Sequence, residues 1–113
     1  MLQRVLAGFL QVEGVETAMM LDDRGHLLSS VGPPGMLPAV ESTVTLTSAA
    51  FDAAQSLGRG ELLEVWCEGT QRTMVDIITP FRIVALHGQG GRTARWRHAI
   101  DHARKHLATT QEL

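Results

Sequence analysis

The feature that most constrains the fold is a pair of short apolar runs separated by the segment Asp22-Asp23-Arg24-Gly25. The first run is Ala18–Leu21, and the second extends from His26 to Val31. An Asp side chain bonds its own backbone two residues on, and Gly accepts a positive φ at little cost. We therefore predict a β-hairpin within Gly14–Gly32, with its turn at the Asp-Gly segment.

Three further segments have the periodicity of amphipathic helices. The first has apolar residues at helical spacing from Leu2 to Leu10, and the last has Trp96, Ile100, Ala103 and Leu107 on one seam. The middle segment, Pro38–Leu57, has two neighbouring apolar stripes. One consists of Val40, Val44, Thr47, Phe51 and Ala54, and the other of Leu46, Ala50, Ala53 and Leu57. Because one stripe suffices to cover a sheet, we expect the second stripe to meet another protein surface.

Three strands are predicted between the middle and last helices, at Glu61–Glu68, Arg72–Thr79 and Phe81–His87. Their continuous apolar character indicates a sheet covered on both faces. Opposite charges at Asp76 and Arg82 suggest an ion pair across two adjacent strands. The order is α-β-β-α-β-β-β-α, which predicts an antiparallel-rich α/β sandwich.

Composition narrows the class of protein. A chain of 113 residues fits one domain, 1–113, and can bury a core without metal or disulfides. The net charge of -2 gives no strong field for nucleic acid or anionic lipid. One cysteine and the lack of a signal-peptide pattern or long apolar run predict a cytoplasmic protein.

Four groups of residues that could carry chemistry are better explained structurally. His98, His102 and His106 recur at metal-ligand spacing, but on the expected solvent face of the last helix. The segment Gly88–Arg92 lacks the spacing of a phosphate-binding loop, Cys67 has no neighbouring base, and Asp22-Asp23 suits a tight turn. We therefore predict no catalytic residue, no metal and no cofactor, and hence a protein that is not an enzyme.

Three segments resemble the roadblock (dynein light-chain) domain family, including bacterial members that act with Ras-like small GTPases. They are Gly14–Ser30 with its hairpin, Ala54–Gly60 entering the strand Glu61–Glu68, and the strand Ile83–Leu86 followed by Gly88–Gly91 and a basic helix. The resemblance implies a five-stranded antiparallel sheet with the middle helix on one face and both terminal helices on the other. It also implies a non-catalytic homodimer, or a heterodimer with a relative, which binds a small Ras-like GTPase through the paired middle helices.

These implications define two sets of expected contact residues. The expected dimer interface combines the second stripe of the middle helix with the strand after it, and consists of Leu46, Ala50, Ala53, Leu57, Leu63, Val65 and Cys67. The expected GTPase-binding positions are the polar residues of the same helix, Thr45, Ser48, Asp52 and Gln55. The alternative is a small-ligand sensor of the PAS or GAF type, which would keep a cavity between sheet and helices.

Overall fold

The computed structural model describes residues 1–112. Its helices are α1 (Leu2–Ala7), α2 (Val40–Ser56) and α3 (Thr93–Thr109), with a 3₁₀ turn at Gly8–Gln11 directly after α1. Its strands are β1 (Val15–Asp22), β2 (Leu27–Val31), β3 (Glu64–Glu68), β4 (Arg72–Thr79) and β5 (Arg82–Gly88). The predicted order of elements is confirmed. In the described part of the chain, no helix combines the length and hydrophobicity that a membrane span requires.

The five strands form one antiparallel sheet in the order β2-β1-β5-β4-β3. Since α2 connects β2 to β3, it carries the chain from one edge of the sheet to the other. The outermost strands are therefore β2 and β3, and the two strands flank α2 in sequence.

Alternate residues of the strands enter two separate cores. On one face, α1 and α3 cover Met20, Met74 and Leu86, with Leu2, Leu6, Trp96 and Ile100 among the helical side chains in the same buried cluster. On the other face, Met19, Leu21, Val75 and Ala85 form a smaller buried cluster beneath α2. The predicted arrangement, with the middle helix opposite the two terminal helices, is confirmed.

The β1–β2 hairpin forms as its turn residues predict. The Asp22 Oδ1 atom accepts hydrogen bonds from the backbone N–H groups of Arg24 at 2.9 Å and His26 at 2.8 Å. These bonds, the stronger of them from His26, lower the pKa of Asp22. Gly25 has a φ of +82°, which a residue with a side chain rarely adopts. Asp22 is therefore a turn residue, as the sequence suggests.

The strand predicted at Glu61–Glu68 is shorter than expected, because β3 begins only at Glu64. Gly58 and Gly60 both have positive φ values, so the chain turns before it reaches the sheet. A single backbone bond, from Ile77 N–H to the Leu63 carbonyl at 2.9 Å, precedes the regular ladder. The prediction that Glu61, Leu62 and Leu63 belong to the strand was wrong.

The expected Asp76–Arg82 ion pair does not form. Arg82 pairs in register with Thr79, whereas Asp76 lies opposite Val84. The Arg82 guanidinium instead donates to the Leu107 carbonyl at 2.9 Å and the Thr110 carbonyl at 2.6 Å. These carbonyls end α3 and carry its negative dipole, so they offer the cation a better-placed acceptor.

Candidate interaction surface

The two faces of the sheet are covered to different depths. Trp96, Ile100 and Leu107 of α3 are buried against the α1–α3 face of the sheet. The buried side chains of α2 are Thr43 and Thr47, and its apolar contacts with the sheet come from half-buried Val40, Val44 and Leu46. The middle helix therefore leaves much of its apolar surface uncovered.

Val40 and Val44 of the first predicted stripe of α2 contact the sheet, but two other residues of the helix depart from the prediction. Phe51 was expected on the sheet-facing stripe but is 45% exposed, and Thr43, outside both predicted stripes, is 1% exposed. The hydroxyls of Thr43 and Thr47 each donate at 2.7 Å to the backbone carbonyl four residues earlier, at Ala39 and Thr43. These bonds satisfy the hydroxyls locally and allow them to be buried. The spacing of Thr43 and Thr47, four residues apart, is the sequence feature from which this buried contact could have been predicted.

The residues expected in a dimer interface divide into two groups. Leu46 and Val65 pack in part against the small cluster of their own chain, and Ala50 is half-buried. Ala53, Leu57, Leu63 and Cys67 are exposed, with Leu57 at 71% and Leu63 at 72%. The exposed residues lie on α2, on the connection after it and on the outermost strand β3.

The residues expected to contact a GTPase are all exposed, namely Thr45, Ser48, Asp52 and Gln55. Ser48 and Gln55 also line a groove of about 930 Å³ between the second half of α2 and the sheet. Phe51 and Leu63 supply apolar walls at its α2 and β3 sides, and Ile77 and Ile83 line its floor on the sheet. The groove joins the exposed part of α2 to the β3 side of the molecule.

The outermost strand β3 is held firmly on its inner side. The Trp66 and Trp96 rings lie 6.2 Å apart between centroids, and the Arg97 guanidinium lies 5.7 Å from the Trp66 ring. Glu64 accepts hydrogen bonds from Trp66 Nε1 and from Arg97, the latter at 2.6 Å. Pairing with Arg97 lowers the pKa of Glu64. Because β3 is fixed to α3, its outer edge has a defined position.

Two other groups that the sequence brings to attention have structural surroundings. The buried Arg72 donates to the carbonyls of Gly90 at 2.9 Å and Gly91 at 3.3 Å, and its guanidinium lies 4.8 Å above the Trp96 ring. The loop before α3 thus presents carbonyl oxygens to a cation, which favours the interpretation as a strand-to-helix connection. His98 and His102 stack with ring centroids 6.0 Å apart on the exposed side of α3. Among residues 1–112, no group of three or more metal-ligating side chains is found.

Comparison with solved structures identifies the fold. Myxococcus xanthus MglB aligns with a TM-score of 0.79 at 19% identity, over 94% of this chain and 90% of that chain. An MglB with a tetrameric arrangement gives a TM-score of 0.79 at 20% identity, over 95% of this chain and 85% of that one. A Roadblock/LC7 domain from Streptomyces avermitilis gives 0.69 at 18% identity, over 95% and 98% of the two chains. No protein-family model and no curated protein sequence matches the chain.

Proposed function

This chain has the roadblock/LC7 fold, and from that premise we propose that it is a non-catalytic regulatory subunit. It forms a homodimer and binds a small Ras-like GTPase through its paired α2 helices. The PAS or GAF alternative is not favoured, because the chain aligns over nearly its whole length with roadblock structures. In this role the chain works in the cytoplasm and supplies a surface, while the catalytic residues belong to the GTPase.

The observation that carries the proposal is the incomplete burial of α2. Its buried side chains are two threonines. By contrast, Phe51 on the same helix is 45% exposed, and Leu57, the C-cap residue of the helix, is 71% exposed. Leu63, just before β3, is 72% exposed and lines the groove with Phe51. Exposed apolar side chains of this size favour a protein partner over solvent.

The β3 edge supports pairing between two copies. A strand at the edge of a sheet presents backbone N–H and C=O groups that a second strand can satisfy. The charged ends of β3 are already neutralised within the chain, since Glu64 pairs with Arg97 at 2.6 Å and Glu68 pairs with Arg72 at 2.7 Å. Antiparallel pairing about a two-fold axis therefore brings together strands with little like-charge repulsion. One MglB structure has a tetrameric arrangement, which is in keeping with self-association in this fold.

The GTPase contact follows from this arrangement. Two α2 helices side by side present Thr45, Ser48 and Asp52 on a continuous polar surface, with the apolar groove beside it. A partner that binds this surface in one conformation of its switch loops is stabilised in that conformation. The regulatory effect then equals the difference in affinity between the two conformations of the GTPase.

Light scattering tests the dimer. We expect a mass about twice the 12.3 kDa of the chain at micromolar concentration. Ala53→Glu places a charge on the exposed side of α2 and should weaken dimerisation at least about tenfold, which corresponds to about 1.4 kcal/mol. Leu37→Glu is the matched control, because Leu37 is 87% exposed and lies near β2, at the opposite edge of the sheet. A monomeric wild-type chain would refute the dimer.

Affinity purification from the source cell tests the GTPase. We expect a small Ras-like GTPase to be recovered preferentially in one nucleotide state, and to be lost with Asp52→Lys. Glu16→Lys makes the same charge change at an exposed position on β1 and should leave recovery intact. Recovery of no GTPase with either GDP or a non-hydrolysable GTP analogue would contradict this part of the proposal.

A further inference from the structure

His87, near the end of β5, connects α2 to the sheet through its imidazole ring. Its Nδ1 atom lies 2.8 Å from the Thr73 hydroxyl of β4, and its Nε2 atom lies 3.4 Å from the Thr43 hydroxyl of α2. The Thr43 hydroxyl donates its proton to the Ala39 carbonyl at 2.7 Å, so it acts as acceptor toward His87. These partners assign a neutral ring with the proton on Nε2 and with Nδ1 accepting from Thr73.

The helix that this ring contacts is weakly attached. Apart from Thr43 and Thr47, its contacts with the sheet come from half-buried Val40, Val44 and Leu46. Segments with few buried apolar contacts open at a smaller free-energy cost than the rest of a protein. A small change at the α2–sheet contact is therefore enough to shift the opening equilibrium of α2.

Among residues 1–112, the hydrogen-bond partners of the His87 ring are neutral hydroxyl groups. The ring contacts Thr43 of α2 and Thr73 of β4, and the residue paired with His87 on β1 is Thr17, which is also neutral. Glu41 and Asp52, the two charged residues of α2, are exposed. Cys67, the titratable residue of β3 on this side of the sheet, lies beyond Thr73 and is exposed.

From this geometry we propose that His87 makes the attachment of α2 to the sheet sensitive to acid. Protonation of the ring places a positive charge in the contact between α2 and the sheet. The desolvation cost of this charge falls when α2 moves away and water reaches the ring. If α2 binds the GTPase, as the proposed function holds, then binding weakens in the same pH range. The opening of α2 itself does not depend on that function.

The direction of the effect follows from the titration of the ring. Burial lowers the pKa of His87 below the ordinary value of 6.5. At a pH between the lowered pKa of the closed state and the ordinary value of 6.5, the opened state takes up a proton that the closed state does not. Opening therefore becomes more favourable as the pH falls. The opening constant should rise by up to about tenfold per pH unit within this interval.

Hydrogen exchange of the α2 amides between pH 7.5 and pH 5, corrected for the intrinsic rate, tests the proposal. We expect Val40–Ser56 to lose protection below pH 6.5, while β1 and β5 keep theirs. In NMR spectra of the same wild-type chain, the midpoint of the His87 ring titration should fall within the range where α2 protection declines. Protection of α2 that does not change with pH, or that changes with a midpoint unrelated to His87, would overturn the proposal.

Two variants assign the effect to this ring. His87→Gln retains an amide donor near Thr43 without a group that titrates here, so α2 protection should become independent of pH. His98→Gln removes an exposed histidine of α3 and should behave as the wild type does. Light scattering at both pH values separates opening within the chain from dissociation of a dimer. If mass and α2 protection both fall at pH 5, and equally in wild type and His87→Gln, the loss of protection comes from dissociation of the dimer. The proposal for His87 then fails, while the dimer at pH 7.5 is unaffected.

Discussion

The Arg104 guanidinium of α3 covers the carboxylate of Asp76 in β4 with two hydrogen bonds, at 2.9 and 3.1 Å. The Asp76 side chain is 2% exposed, so this pair fixes α3 to β4, the strand beside the outermost strand β3, at a carboxylate that water hardly reaches. Arg104 also bonds Asp101 at 2.8 Å, one turn earlier on its own helix. Burial raises the pKa of Asp76 even though Arg104 opposes the shift, and the two carboxylates raise the pKa of Arg104.

The first prediction concerns this ion pair. Arg104→Gln leaves a buried carboxylate without its cation and should lower the free energy of unfolding by about 2–4 kcal/mol. The expected loss lies toward the lower end for buried pairs, because the Arg104 side chain is 39% exposed and solvent screens part of its charge. Urea denaturation at pH 7 measures it. Lys105→Gln removes a neighbouring, exposed cation and should change stability by about 0.5 kcal/mol or less.

The same variant has a distinctive pH dependence. The pKa of Asp76 in the folded state lies above its ordinary value of 3.8. The contribution of Asp76 to stability therefore falls as the pH rises from 3.8 through the folded-state pKa. Removal of Arg104 raises this pKa further. In the variant, Asp76 therefore takes up its proton, and loses its uncompensated charge, at a higher pH than in the wild type. The difference in unfolding free energy between the two proteins should therefore narrow as the pH falls from 7 toward 4. A constant difference over that range would show that the Arg104–Asp76 charge interaction is not the cause.

The second prediction separates two threonines on α2. Thr43→Val preserves side-chain shape but removes the acceptor for His87 Nε2 and should cost about 1 kcal/mol. Thr45→Val, on the same helix but exposed, should cost no more than about 0.5 kcal/mol. Thermal unfolding of both variants in parallel provides the comparison. Equal losses would mean that propensity for helix, rather than the contact with His87, governs this part of α2.

The third prediction contrasts two glycines. Gly14 has a φ of +92°, and a Cβ there would lie 2.3 Å from the Gly90 carbonyl oxygen, so Gly14→Ala should cost at least about 2 kcal/mol. Gly8 has a φ of -59°, and a Cβ there meets nothing within 4 Å. Gly8→Ala should therefore stabilise the chain by about 0.5–1 kcal/mol. The denaturant midpoint should shift below that of the wild type in Gly14→Ala and above it in Gly8→Ala. A stabilised Gly14→Ala would contradict the prediction.

What the sequence predicts well is local. The hairpin turn at Asp22–Gly25 depends on bonds within five residues, and the α3 seam of Trp96, Ile100 and Leu107 depends on helical spacing alone. Residues far apart in sequence decide the rest. Asp76 has Arg104 as its partner, 28 positions away, and the nearby Arg82 binds the end of α3 instead. Such choices depend on where α3 lies across the sheet, which periodicity does not specify.

The candidate surface shows the same division. The sequence shows that α2 carries more apolar surface than one contact needs, and Val40 and Val44 of the first stripe do contact the sheet. It does not show that Leu46 of the second stripe joins them, or that Phe51 of the first stripe is exposed. Phe51 and Thr43 exchange the roles that their hydrophobicity suggests, because backbone-bonded threonines can be buried at the close contact near His87. Glu61–Leu63 were predicted as part of the strand but lie outside β3, because the positive-φ glycines just before them, Gly58 and Gly60, turn the chain.

The last prediction uses Cys67, the single cysteine of the chain, which is exposed on the outermost strand β3. If two copies pair along β3, their Cys67 thiols lie near one two-fold axis, because β3 is only five residues long. A short bis-maleimide should then join two chains in high yield at concentrations where light scattering gives a dimer, and denaturing electrophoresis measures the product. Cys67→Ser should give no product, and Ala53→Glu should reduce it in proportion to the loss of dimer. A dimer that resists cross-linking through Cys67 would mean that the copies associate through another surface.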